Sequence, residues 1–332
     1  MQVRTRLLDG FGDPSFGREE WNALVRSSPA PSPYLLWELQ RAWEDALGWG
    51  EPLFVLAERA GEPVALAPLR AVRGYVAFSG VCFEFDRLDF IGDVGDVDVL
   101  AALLAAAREH TPGFSSFVLE FIHADSPSYA RLPEAAGRLG LRCEQKYESL
   151  GVELDLRAEP GLVETATSRQ VLKDERWLAR NGKLEVLQLR DAREIRRRLP
   201  ALFDQHRRRR PGPEDPSRFH QEDVCRLFER IVDHCVGTDV LRWTEIVWDD
   251  RPIACHFGLE LGGRRFMKAF SMEPELANRS PGGILMRHAI LGALEDGADV
   301  FDFGTGGQDF KLRYATRTWA VPGWLLTEAE AT

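Results

Sequence analysis

LRWTEIVWDDRPIACHFGLEL, Leu241–Leu261, is the stretch that decides the fold. It reads as an apolar run, an Asp-rich turn that ends at Pro252, and a second apolar run, which is the pattern of a β-hairpin. A second stretch, PLFVLAERAGEPVALAPL at Pro52–Leu69, has the same form, with its turn at Ala60–Pro63. Aligning Pro63 with Pro252 sets the two about 190 residues apart, which is the mark of an internal repeat.

The surroundings repeat in kind. A helix is expected ahead of each hairpin, at Leu35–Leu47 and at Gln221–Cys235. After each hairpin comes an apolar helix that leads into a strand. These are Val99–His110 into Ser116–Ile122 in the first half, and Gly283–Leu294 into Val300–Phe303 in the second. The repeated order of helix, hairpin, helix and strand predicts an α/β (α+β) protein of two tandem domains, each a mixed sheet flanked by helices. The 332 residues suit two domains, since single cores commonly stop at about 100–200 residues. The domains are expected at 1–160 and 161–332. Val152–Leu156 reads as the closing strand of the first, followed by the loop Arg157–Gly161. The amphipathic segment SRQVLKDERWLAR, Ser168–Arg180, ends at Asn181–Gly182 as helices do,. It is expected to cross between the halves, with 168–181 as an inter-domain helix.

Bulk properties exclude several classes. No apolar run approaches the ~18–20 residues of a membrane span. The start, MQVRTRLLDGFGDP, lacks the apolar stretch of a secretion signal,. The five cysteines form no CxxC pair, which fits reduced thiols in a cytoplasmic protein and predicts no metal site. A net charge of −10 argues against DNA binding,. The charge is uneven, however: Arg169–Arg210 holds roughly fourteen Lys/Arg against six Asp/Glu. Such a run is a solvated pair of helices or a positive field for an anionic substrate or carrier.

The chemistry is concentrated in Arg264–Tyr314. Arg265–Met272 reads as a strand, and Ser280-Pro281-Gly282-Gly283 precedes an apolar helix. Ser280 suits an N-cap, Pro281 the first helical position, and the glycines a close approach to the backbone. With Arg279 beside it, this helix start offers an anion site suited to a pyrophosphate. A well-capped helix without a ligand would have the same pattern. No GxGxxG fingerprint or G-x-S-x-G elbow occurs, and GTGG at Gly304–Gly307 lacks dinucleotide spacing,.

The run NRSPGGILMRHAILGALEDGADVFDFGTGGQDFKLRYA, Asn278–Ala315, resembles the signature of tandem GNAT-fold acyltransferases. These include CelD-like acyltransferases and, more distantly, Fem-type peptidyl transferases. The matching features are Ser-Pro-Gly before a helix, Asp302 and Gly304 in a strand end, the Phe310–Lys311 pair, and the D-x-P-I-A hairpin of Asp250–Ala254. Phe90–Val99 resembles the Gly/Asp loop of the first half.

The resemblance implies two GNAT-like domains, with acetyl-CoA or another acyl-CoA over Arg265–Met272 and its pyrophosphate on Arg279, Ser280, Pro281, Gly282, Gly283 and Ile284. Lys268 and Ser271 on that strand are further donor-binding candidates. Asp93, Asp96 and Asp98 in the first-half loop would repel a pyrophosphate, so the first domain is expected to be degenerate, serving structure or acceptor binding. For catalysis the candidates are Asp302, His256 and Lys311. Each has a plainer reading as well: a capped glycine turn, a satisfied buried histidine, and a surface lysine. His206, Arg208 and Arg209, in a segment expected to be the loop His206–Phe219, are candidates for binding an acidic acceptor.

The activity expected is N-acyl transfer from acyl-CoA to an amine on a small or cell-envelope metabolite, with an acyl or peptidyl carrier protein as a further partner. The alternatives are a Fem-like transferase that takes its group from aminoacyl-tRNA or a carrier, and a non-catalytic scaffold of decayed GNAT domains.

Overall fold

Both hairpins form where the alternation places them. The computed structural model of the protein describes residues 2–329, and chain contacts divide it into two units. The first unit contains strands β1 (Val3–Leu7), β2 (Glu51–Arg59), β3 (Glu62–Val72), β4 (Tyr75–Phe78), the two-residue β5 (Ile91–Gly92) and β6 (Ser116–Glu120). Its helices are α1 (Arg18–Ser27), α2 (Trp37–Leu47, whose last residues, Asp45–Leu47, count with the second unit), α3 (Val97–Glu109) and α4 (Pro127–Arg138). Strands β1 to β4 pair antiparallel in sequence order, and β4 pairs parallel with β6. The parallel step needs a crossover, which α3 supplies.

The chain passes through β7 (Leu141–Asp155) into the second unit. There it forms α5 (Leu162–Ala166), α6 (Arg169–Asn181), β8 (Leu184–Leu189), α7 (Ala192–Arg209), α8 (Glu222–His234), β9 (Leu241–Trp248), β10 (Arg251–Leu261), β11 (Arg264–Met272), α9 (Pro281–Glu295), β12 (Val300–Thr305) and α10 (Asp309–Leu312). Strands β8 to β11 pair antiparallel in order, and β11 pairs parallel with β12. The succession β2, β3, β4, α3, β6 therefore recurs as β9, β10, β11, α9, β12. The repeat visible in sequence is a repeat of topology.

The division between units differs from the expected single cut at 160. It falls between Gly151 and Val152, inside β7. The second unit also stops short of the chain end. Residues from Trp319 onward count with the first unit, because Gly323–Thr327 of the last strand, β13 (Arg317–Glu328), pairs antiparallel with β6. Helix α6 does not cross between halves. It lies in the second unit, where Val171 and Leu178 join Ile284 and Leu285 of α9 in one core.

Helix periodicity explains which faces are covered. In α8 the buried residues are Val224, Leu227, Phe228, Ile231 and Val232, the i, i+3, i+4, i+7, i+8 stripe of an amphipathic helix. Helix α9 buries eight of its residues, from Pro281 to Ala293, and packs on a core with Met267, Phe301, Phe303 and Tyr314. The expected loop at His206 begins later, because α7 runs through Arg209. Arginine favours helix, and cations in a last turn complement the helix dipole.

In the first unit the loop aspartates have local partners. Asp96 caps α3 through the Asp98 N–H at 2.8 Å and pairs with Arg59 at 2.6 Å. Asp93 lies 3.8 Å from Arg59, and Asp98 pairs with Arg138.

Candidate functional site

Strands β11 and β12 stay together only briefly. Arg264 faces Val300, Arg265 faces Phe301 and Phe266 faces Asp302, after which the pairing ends. Strand β11 continues to Met272 along β10 with a bulge, the register stepping from Gly258↔Met267 to Phe257↔Ala269 and over Lys268. Gly258 makes the bulge possible, since a Cβ there would lie 2.8 Å from His256 Cε1 and 3.0 Å from the Phe266 carbonyl oxygen. One inserted residue reverses the pleat. Met267 and Phe270, three apart, thus pack on the same core.

Where the strands part there is a cavity of about 260 Å³. Phe270 and Met272 of β11 form one side, Gly282, Gly283 and Met286 of α9 another, and Val171 of α6 a third. Phe310 of α10, with Arg313 and Tyr314 just beyond it, closes the cavity, while Arg209 and Arg210 reach in from the end of α7. The lining includes three arginines and no carboxylate. It is otherwise largely apolar, as ligand sites usually are.

The start of α9 is built differently from the expected N-cap. Ser280 adopts a left-handed conformation, φ 49° and ψ 38°, and makes no side-chain cap bond. Its hydroxyl donates instead to Asp174 Oδ2 at 2.7 Å. The Ser280 carbonyl accepts from the Gly283 and Ile284 N–H groups, each at 3.0 Å. Pro281 occupies the first helical position as expected. The two glycines are demanded by packing: a Cβ on Gly282 would lie 2.9 Å from Met272 Sδ, and one on Gly283 2.6 Å from Val171 Cγ2. Arg279 lies over the Trp177 ring at 3.7 Å and 4.0 Å from Asp174.

The other expected residues divide between the cavity and its surroundings. Ser271 sits between Phe270 and Met272 and so points to the opposite face of β11; it is fully buried, with no hydrogen-bond partner on its hydroxyl. Lys268 is buried at the bulge and does not line the cavity. His256 lies opposite Phe270 in register, and neither ring nitrogen has a partner. Burial, with a contribution from Arg265, pushes its pKa down to about 3. The ring is therefore uncharged and a poor proton acceptor at neutral pH, which corrects the expectation drawn from residue type.

Asp302 and Lys311 hold the glycine turn. Asp302 Oδ1 accepts from the Gly304 N–H at 2.8 Å, and Arg264 lies 3.5 Å from Oδ2. Lys311 is buried and its Nζ donates to the Thr305 carbonyl at 2.6 Å. Neither lines the cavity.

Of the three acceptor candidates only Arg209 does so. His206 is buried against Phe219, with Nδ1 2.7 Å from the Ser217 hydroxyl. Burial, helped by Arg218, Arg210 and Arg209, pushes its pKa down to about 4. Arg208 grips Glu273 through two bonds of 2.7 Å, and that guanidinium pushes Glu273 down to about 2. Arg209 instead lies over the Phe270 ring at 5.3 Å.

Tyr314 and Arg313 were not singled out from sequence. Tyr314 is nearly buried, its hydroxyl 3.4 Å from Thr167 Oγ1. Its position just past Phe310–Lys311 was the available signal.

Residues 166–312, which carry this cavity's β11, α6, α7 and α9, match the sequence profile of the acetyltransferase (GNAT) domain. The segment is a GNAT domain, and the protein an acyltransferase. Solved structures agree with this fold along the whole chain. The GNAT-bearing chain is similar to FemX, with a TM-score of 0.69 and 13% identity over 99% of this chain and 98% of that one. It is also similar to a tandem GNAT protein from the clavulanic acid biosynthesis pathway, with a TM-score of 0.54 and 12% identity over 100% of both chains. A third similar structure is L-PGS from Bacillus licheniformis, with a TM-score of 0.52 and 13% identity over 91% of this chain and 93% of that one. No curated protein sequence matches. Among the described residues no helix is long and apolar enough to cross a membrane.

Proposed function

We propose that the protein is an N-acyltransferase that moves an acyl group from acyl-CoA to an amine on a small or cell-envelope metabolite. The observation that carries this reading is the cavity itself. It opens where β11 and β12 part, ends at the glycine start of α9, and is rimmed by arginines without a carboxylate. The helix start carries a partial positive charge and keeps the Gly282 N–H, while the Gly283 and Ile284 N–H groups are turned to the Ser280 carbonyl; this positive end suits the donor's pyrophosphate,. Phe270, Met272 and Met286 suit the aliphatic stretches of the arm between that group and the thioester.

In the reaction the amine attacks the thioester carbonyl, an amide bond forms and the C–S bond breaks. The departing thiolate needs a proton, and the amine loses one. Tyr314 is the hydroxyl on the cavity wall placed to protonate the thiolate, since the Ser280 hydroxyl is occupied by Asp174. The rest of the rate comes from placement. Asp302 and Lys311 act through the turn they hold, as positioning residues.

The first unit serves structure or acceptor binding in this reading, its loop aspartates being engaged in capping and ion pairs. The working compartment is the cytoplasm, where acyl-CoA is available. A carrier-borne thioester is the second reading, favoured by Arg169, Lys173, Arg176 and Arg180. They lie along one exposed face of α6, and none has an ion-pair partner among the described residues. Melting the protein with and without acetyl-CoA tests the donor, because a ligand of the folded state raises the melting temperature. No shift at millimolar acetyl-CoA sinks the CoA reading.

A further inference from the structure

We propose that Arg209 and Arg313 form a phosphate-binding pair, separate from the start of α9, so that the cavity takes a ligand with two anionic groups. This rests on the donor-site reading and adds a second charged contact to it.

The last turn of α7 and the loop after it carry four consecutive arginines, Arg207 to Arg210, and three are accounted for. Arg207 donates to the Phe219 carbonyl at 2.7 Å and approaches Cys225 Sγ at 3.3 Å. Arg208 is held by Glu273 and Asp204. Arg210 pairs with Asp215 at 2.9 Å. Arg209 lines the cavity beside Arg210, half-buried against the face of Phe270, and unlike Arg210 it has no carboxylate within ion-pair distance among the described residues, Asp215 acting on it only from farther off. Arg313 lines the same cavity from beyond α10, again without a carboxylate within ion-pair distance among the described residues. Partly desolvating the Arg209 guanidinium without a close counter-charge is costly, and a phosphate held by it together with the exposed Arg313 would gain strong charge-assisted bonds,. Stacking on Phe270 fixes the Arg209 plane for such a fork. Neither arginine belongs to α9, and the anion assigned to them is a second one beside that held by its first turn, a distinction the titrations test. The phosphate comes either from the nucleotide end of the donor or from the acceptor.

The test is calorimetric titration of the wild type, Arg209→Gln and Arg313→Gln with CoA, dephospho-CoA, pantetheine and inorganic pyrophosphate. Arg313 is exposed, so its variant folds even if the other is compromised. If the donor's 3′-phosphate is the group, the wild type binds CoA about tenfold or more tightly than dephospho-CoA. Each variant then drops CoA to the dephospho-CoA level and leaves dephospho-CoA unchanged. Equal loss of CoA and dephospho-CoA in the variants would put the pair on the pyrophosphate already assigned to the start of α9 and overturns a separate second site. If the variants keep wild-type CoA affinity, inorganic pyrophosphate is titrated into the CoA-saturated proteins. Binding in wild type alone assigns the pair to a phosphorylated acceptor, and binding in none or in all three overturns it. If no CoA compound binds, the donor reading fails by itself. Pyrophosphate binding to the wild type, absent from both variants, still upholds the pair, and its absence throughout overturns that too.

Discussion

The Ser280 hydroxyl donates to Asp174 Oδ2 at 2.7 Å, tying the start of α9 to the buried face of α6. Asp174 is nearly fully buried and also accepts from Gln170 at 2.8 Å. The bond substitutes for an N-cap, because it fixes a left-handed residue whose own side chain cannot reach the first helical N–H groups.

Asp174→Ala should therefore lower stability by about 1–3 kcal/mol, the cost of leaving buried donors without their acceptor. Ser280→Ala should cost less, about 1 kcal/mol, since it removes one neutral donor and leaves Asp174 its other contacts. Urea unfolding of both variants gives the comparison. Equal costs would mean that Asp174 does not organise this junction.

Tyr314→Phe should reduce kcat by about 10- to 100-fold, in the range for loss of a proton donor. Acyl-CoA affinity should stay where it is, because the ring remains packed in the cavity wall. Single-turnover assays beside calorimetry separate the two quantities. Unchanged turnover would take the phenol out of the reaction.

Asp302→Asn distinguishes positioning from proton transfer. The amide oxygen can still accept from Gly304, but the charge facing Arg264 is lost, at about 1–3 kcal/mol of stability. Turnover should fall while the pH profile of kcat keeps its shape. Disappearance of the acidic limb would instead make this carboxylate the base.

His206 supplies a pH dependence. Its folded pKa, about 4, lies below the ordinary 6.5, so between these values the unfolded state binds more protons. Stability from this group is complete above about pH 6.5 and is lost as pH falls toward 4. His256, at about 3, adds to the same trend. Asp89 opposes it, since burial raises its pKa from 3.8 to about 6 and favours the folded state as pH falls through that range. Comparing wild type with His206→Gln removes these shared contributions. The variant should lose less stability than wild type between pH 7 and pH 5, by denaturant midpoint; parallel curves would contradict the assignment.

The repeat was legible because hairpins and apolar helices leave local patterns. Pro63 and Pro252 mark equivalent turns, and β2–β3 and β9–β10 follow from them. The start of α9 was legible as a place through Ser-Pro-Gly-Gly, but not as a mechanism, because Asp174 stands 106 residues away in the chain. Side-chain direction was lost at β11, where the bulge at Lys268 reverses the pleat and its one signal, Gly258, lies on the neighbouring strand,. That reversal puts Phe270 and Met272 in the cavity and Ser271 behind it. The run at His206–Arg210 looked like a loop because prolines follow it, yet its arginines extend α7. Which of them faces a ligand depends on distant carboxylates such as Glu273, which sequence spacing does not reveal. Asp302 and Lys311 were found by position, while their partners Arg264 and Thr305 give them the plainer duty of holding a turn.

The most direct test is calorimetric titration with acetyl-CoA and a longer acyl-CoA, on wild type and on Gly282→Val, whose side chain would meet Met272 Sδ. Micromolar binding to the wild type at one site per chain is expected, with affinity lost in the variant. Wild-type affinity in Gly282→Val, or no binding of either ligand at millimolar concentration, would contradict a CoA donor site at the start of α9.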